Sequence, residues 1–220
     1  MIELHAYSHS SASYRVRIAL ALKGIGVTHH SVCLRANDHQ STVYLDLNPQ
    51  GRVPALVTEE GVLTQSLAIV DWLEEFYPRP SLYPQDPWQR SLCRAFAHVI
   101  ASDIFPLQNL NVRRKLADDF GADEARVTQW CADWIAQGFG ALEKETANRG
   151  WSPGQGYLYG QEPTLADICL VPQMNNARRF GVDLTMFPLL VRADAQARVH
   201  PAFLSTAPET QIDSQNLNPG

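Results

Sequence analysis

The stretch Pro78-Arg79-Pro80-Ser81-Leu82-Tyr83-Pro84-Gln85-Asp86-Pro87 decides how the chain is read. Each of its four prolines fixes φ and removes a backbone donor, so neither a helix nor a sheet ladder runs through it, and the segment is stiff. The sequence changes texture across it. On the N-terminal side, Ile2-Leu4-Ala6 alternates like a strand, Tyr14 to Lys23 reads as a buried helix closed by Gly24, and Val27 to Leu34 is strand-like. Val53-Pro54-Ala55-Leu56-Val57 and Val62-Leu63 flank Glu60-Gly61 as a hairpin, with Pro54 at a strand start or edge. Ser66 is the expected N-cap of a helix with Ile69, Trp72, Leu73 and Phe76 on its buried face. The order is β-α-β-(short helix)-β-β-α.

On the C-terminal side the strand pattern vanishes. Asp86-Pro87 is an N-cap followed by a proline at the first helical position, ahead of Leu92, Phe96, Val99 and Ile100. A long helix is expected over Asp123 to Ala147, with Val127, Trp130, Cys131, Trp134, Ile135, Phe139 and Leu142 as a core stripe. Thr164-Leu165-Ala166-Asp167 forms an Asp variant of the capping box, and the helix it opens is expected to bend or break near Pro172. The class is α+β. The expected domains are residues 1–80 (mixed α and β), 81–87 (proline-rich linker), 88–212 (all-helical) and 213–220 (a flexible tail).

Composition narrows the functions. Of 220 residues, 45% are hydrophobic and 19% charged, at a formal net charge of −5, the profile of a soluble globular protein. Residues 1–80 hold 6 basic against 8 acidic side chains and the remainder 12 against 15. No basic face for nucleic acid is therefore expected. The start, Met1-Ile2-Glu3-Leu4-His5, lacks a signal-peptide pattern, and no apolar run of about 18 residues occurs, so a cytoplasmic protein without a membrane partner is expected. Cys33, Cys93, Cys131 and Cys169 form no CxxC pair and are read as buried thiols. GxSxG, HExxH, GxGxxG and GxxxxGK[ST] are all missing. His29 and His30, adjacent on a strand, would face opposite sides, and His5, His39, His98 and His200 have no partner at ligand spacing, so no metal site is expected.

The residues that suggest chemistry are His9-Ser10-Ser11-Ala12-Ser13-Tyr14-Arg15, which join the first strand to the first helix. Three hydroxyls at a helix N-terminus exceed the needs of one cap, and such a terminus favours an anion. Gln65-Ser66 repeats the arrangement at a second helix start, where an amide and a hydroxyl could hold a carboxylate. Arg113-Arg114 and Arg178-Arg179 are paired bases in the helical half.

Ser10-Ser11-Ala12-Ser13-Tyr14-Arg15-Val16-Arg17-Ile18-Ala19-Leu20 resembles the signature of zeta-class glutathione transferases, which include the maleylacetoacetate and maleylpyruvate isomerases. The likeness continues through Leu47-Asn48-Pro49, Val53-Pro54, Gln65 to Ile69, Pro106 to Leu110, Thr164 to Asp167, Leu170 to Gln173 and Arg179 to Thr185. It implies a thioredoxin-like N-terminal domain that binds glutathione, an all-helical domain that supplies the acceptor pocket, and a homodimer. By resemblance, Ser10, Ser11 and Arg15 are catalytic, with the serines around the sulfur of glutathione. Ala12 and Ser13 join them in binding it. Val53 precedes a cis Pro54 and pairs with the cysteinyl part, Gln65 and Ser66 hold the γ-glutamyl carboxylate, and Gln108 and Asn109 contribute from the helical domain. His9, Arg113 and Arg179 would face a keto-diacid substrate.

The implied reaction is glutathione-dependent cis–trans isomerisation of maleylacetoacetate or maleylpyruvate. The alternatives are conjugation of small electrophiles such as α-halo acids, or a non-catalytic glutathione-binding module. Ala12 stands where the family usually has cysteine, which removes a thiol able to form a mixed disulfide. His9 stands where it often has arginine, which makes one carboxylate contact titratable near neutral pH.

Overall fold

The computed structural model describes residues 2–211 and residue 213. The chain divides into two compact units, one of residues 1–81 with 200–220 and one of residues 82–199.

The first unit is a thioredoxin-like mixed sheet with helices. Strands β1 (Glu3–Ala6), β2 (Thr28–Ser31), β3 (Ala55–Thr58) and β4 (Gly61–Thr64) lie in the order β2-β1-β3-β4. β1 runs parallel to β2, with His5 opposite His30, and antiparallel to β3, while β3 and β4 form the expected hairpin. Only α1 (Ser11–Lys23) makes the parallel step possible, because parallel neighbours need a crossover. Gly24 ends α1 in the left-handed conformation, φ 67°, and its N–H satisfies the last carbonyls. Leu4 and Ala6 are buried, as are Val16, Ile18, Leu56, Ile69 and Leu73, and α1 packs on α3 (Ser66–Phe76). Glu3 and His5 project from the other face, where the Tyr44 ring of α2 (Thr42–Leu47) lies 6.3 Å from that of His5.

The second unit is all-helical: α4 (Pro87–His98), α5 (Leu110–Phe120), α6 (Glu124–Asn148), α7 (Leu165–Arg179) and α8 (Pro188–Arg198). Asp86 and Asp123 cap α4 and α6 by accepting from Gln89 N–H and Arg126 N–H, both at 2.8 Å. The capping box of α7 is present, with Asp167 fully buried and also accepting from Leu158 N–H at 3.2 Å. Between α4 and α5 the chain tightens through a π-helical turn, Val99–Ile104, into a 3-10 turn, Phe105–Gln108. Ile104 there packs so closely on Gly138 of α6 that a Cβ at 138 would stand 2.3 Å from it. None of the described helices is long and apolar enough to cross a membrane.

Several expectations need correction. α7 is one continuous helix with Pro172 inside it, so the interruption expected as one alternative there does not occur. Cys131, Ile135, Phe139 and Leu142 of the α6 stripe are buried, but Val127, Trp130 and Trp134 are only half-buried and sit at its margin. Trp130 Nε1 donates to Leu107 O at 2.8 Å, which satisfies its indole N–H where the ring is partly covered. Cys33 is half-buried where a buried thiol was expected; the other three are buried. The largest difference lies at the C-terminal end: α9 (Pro201–Ser205), placed by sequence within the helical domain 88–212, packs on α1 instead. Tyr14 Oη donates to Phe203 O at 3.1 Å, and Arg17 Nε to Thr206 O at 3.2 Å. Of the expected tail 213–220, Asp213 accepts from Ser8 N–H at 2.9 Å, and 214–220 lie outside the described residues.

Candidate active site

Ser10 is the N-cap of α1: its backbone is extended, φ −80° and ψ 117°, and its Oγ accepts from Ser13 N–H at 3.2 Å. That bond uses the oxygen as acceptor and leaves the hydroxyl proton to be donated outward. The first-turn amides of a helix have no intrahelical acceptor and carry the positive end of its dipole. Ser10 is half-buried, Ser11 and Ala12 are buried, and His9 is exposed with its ring 5.7 Å from Tyr7. Ser13, expected among the glutathione ligands, points inward: it is fully buried, and its Oγ accepts from Tyr7 N–H at 3.4 Å.

Two arginines two residues apart on α1 serve the two ends of this region, since a separation of two on a helix turns side chains to nearly opposite directions. Arg17 Nη2 and Nη1 donate to Ser8 O at 2.9 Å and Tyr7 O at 3.3 Å, fixing the turn that leads into Ser10. Burial lowers the pKa of Arg17 to about 10, against the opposing pull of Asp213. Arg15 is buried, and its Nη1 donates to Ser66 Oγ at 3.3 Å. It therefore touches the start of α3.

Ser66 is not the N-cap of α3. Gln65 holds that position, with φ 70° and no side-chain cap, and Ser66 is the first helical residue, its hydroxyl engaged by Arg15. A non-glycine residue at positive φ costs on the order of 1–3 kcal/mol and persists only where its surroundings impose it. Gln65 Nε2 instead reaches Gln50 Oε1 at 3.0 Å. The α3 amides are thus left uncapped by Gln65, above a buried guanidinium. The Val53–Pro54 bond is cis. Asn48 and Tyr44 buttress the loop before it, with Asn48 Nδ2 and Tyr44 Oη each donating to Arg52 O at 2.6 Å. Sequence reasoning gave Asn48 and Tyr44 no role; the motif Leu47-Asn48-Pro49 was the available signal.

In the helical unit, Gln108 is buried at the end of the 3-10 turn and its Nε2 donates to Gln173 Oε1 at 2.6 Å. Gln108 Oε1 and Gln173 Nε2 are buried with no hydrogen-bond partner among the described residues, and an unmet buried polar atom is costly. Asn109 is the half-buried N-cap of α5 and makes no side-chain cap bond. Arg113 of α5 and Arg179 of α7 both lie over the Phe180 ring, at 5.7 and 5.5 Å from its centroid. With Arg114, Leu110, Val127 and Glu124 they line a cavity of 430 Å³. Burial and the neighbouring Arg179 and Arg114 charges lower the pKa of Arg113, whose Nε has no hydrogen-bond partner among the described residues. Three guanidiniums against one carboxylate make the cavity a place for a carboxylate ligand.

The residues of the first unit fit glutathione. An uncapped helix N-terminus over Arg15 suits the γ-glutamyl carboxylate, and a hydroxyl donor with helix amides suits a thiolate. A thioredoxin-like unit with such donors, joined in one chain to an all-helical unit, defines a glutathione transferase. Residues 4–81 match the family model for the glutathione S-transferase N-terminal domain. The chain is 44% identical to a maleylpyruvate isomerase of Ralstonia sp, over 97% of this chain and all of that one. Among solved structures, a holo maleylpyruvate isomerase described as a bacterial zeta-class glutathione S-transferase superposes with TM-score 0.92 at 44% identity, covering 96% of this chain and 99% of the other. A maleylacetoacetate isomerase of Methylobacterium extorquens AM1, solved with bound malonate and GSH, gives TM-score 0.90 at 33% identity over 96% and 98%. The chain belongs to the zeta-class glutathione transferases, the family of the maleylacetoacetate and maleylpyruvate isomerases.

Proposed function

We propose that the protein is a glutathione-dependent cis–trans isomerase that converts maleylacetoacetate to fumarylacetoacetate, or maleylpyruvate to fumarylpyruvate. When bound, glutathione supplies a thiolate that adds to the cis double bond, leaves a rotatable single bond, and departs with the trans bond in place. The chain's part is electrostatic and positional. Ser10 and Ser11, with the N-terminal amides of α1 around Ala12, donate to the sulfur and favour its ionised form. Ser13 supports that turn from inside. Arg15 holds Ser66 where, with Gln65, it binds the γ-glutamyl carboxylate, and Val53 beside cis Pro54 pairs with the cysteinyl backbone. Gln108 and Asn109 add polar contacts. Arg113 and Arg179 hold the carboxylates of the diacid by paired N–H donation, which confines motion to the reacting bond, and His9 contributes a titratable contact.

The observation that carries this reading is the pair of helix N-termini, one topped by Ser10 and one left uncapped over Arg15. The names of the relatives support the diacid. The family resemblance also supports a cytoplasmic homodimer, and the mixed surface charge supports small-molecule partners rather than nucleic acid. An absorbance assay on both keto-diacids, with and without glutathione, tests it. Turnover that requires glutathione is expected. Equal rates without it, or turnover of α-halo acids with none of the keto-diacids, would overturn the proposal.

A further inference from the structure

The sequence offered no histidines at metal-ligand spacing, but the sheet register creates a grouping that spacing along the chain cannot show. Parallel pairing sets His5 of β1 directly beside His30 of β2, and Glu3, two residues before His5, shares its face. Glu3 Oε2 stands 2.9 Å from His30 Nε2 and 3.9 Å from His5 Nε2. The two imidazoles are stacked, 4.5 Å between centroids and 13° from parallel. One ligand atom from each residue falls within 4.8 Å of the others.

We propose that Glu3, His5 and His30 form a binding site for one divalent zinc or nickel ion, which ties the edge strand β2 to β1. Metal–ligand bonds of about 2.1 Å in a tetrahedral arrangement place ligand atoms about 3.4 Å apart, so modest side-chain rotations bring these three to bonding distance. Imidazole nitrogen with a carboxylate oxygen is the donor set that such borderline metals favour, and it is a poor one for calcium or magnesium. His5 is half-buried, which shields one side of the group from solvent. His30 and Glu3 are more open, leaving the remaining coordination positions to water. Every residue of β2 is exposed and its outer edge is unpaired in the sheet, so its attachment rests on the ladder with β1. An ion bound across that ladder favours the folded state by mass action. Neither the sulfur nor the diacid machinery takes part, so the site stands or falls independently of the isomerase reading.

The test is zinc titration of the untagged protein by calorimetry, without glutathione, with Tm measured alongside. One ion per chain and a rise in Tm are expected. His30→Gln and Glu3→Gln should each weaken binding by about tenfold or more, and His29→Gln, on the opposite face of the same strand, should leave it unchanged. Histidine ring proton signals of His5 and His30 should shift on titration while that of His29 stays in place. Absence of saturable binding, unchanged affinity in His30→Gln, or loss of binding in Cys33→Ser with His30→Gln unaffected would each overturn the proposal.

Discussion

On the proposed function, the two units meet anions with different materials. In the first, the receptive groups are main-chain amides at the starts of α1 and α3, and side chains such as Arg15, Arg17, Asn48 and Tyr44 act on the backbone that presents them. In the second, the proposed receptive groups are side chains themselves, Arg113 and Arg179 beside the Phe180 ring and the amide of Gln108. A ligand common to a whole family can be met by backbone, which mutation cannot remove. A variable substrate is met by side chains, which single substitutions can retune.

If that contrast holds, substitutions in the two units should separate chemistry from substrate binding. The largest effect is expected from Ser10→Ala. Loss of one donor to a developing or stabilised anion lowers kcat by about 100-fold, while the KM for glutathione changes little and the lost cap costs about 1 kcal/mol of stability. Steady-state kinetics with denaturation curves check this, and a change confined to the glutathione KM would break the contrast. Arg179→Ala should come next, raising the keto-diacid KM by about tenfold, as loss of a charge-assisted contact does, with glutathione KM unaltered. The smallest effect is a pH slope. Burial raises the Asp167 carboxyl from its ordinary 3.8 to about 6, against the pull of its Thr164 and Leu158 donors. The folded state then binds the proton more tightly than the unfolded one, so this contribution to stability is full below about pH 4 and is lost as pH rises through 6. Asp167→Asn should remove that slope, seen as a difference in denaturation midpoints that narrows from pH 4 to 7.

Legibility followed the same division. The element order, the caps at Asp86, Asp123 and Thr164, and the serine-bearing turn could be read because each depends on neighbours within four residues. Ser66 was misread as an N-cap because its hydroxyl is claimed by Arg15, 51 residues away, which no local pattern records. The Gln108–Gln173 pair and the Glu3–His5–His30 grouping were hidden for the same reason: each is made by chain segments brought together only by the fold. Likewise, α9 looked like one more helix of the helical run, and only its bonds to Tyr14 and Arg17 assign it to the other unit.

That placement of α9 has a consequence for how the molecule is made. The thioredoxin-like unit is discontinuous, its first part ending near residue 81 and its last beginning at residue 200. A ribosome delivers the chain from the N-terminus at about 5–20 residues per second. The carbonyls of Phe203 and Thr206 therefore reach Tyr14 and Arg17 only after the whole helical unit has been synthesised. The unit that starts first is closed only after the helical unit has been made, and the turn carrying Ser10 takes its final support from residues that follow that unit in the chain.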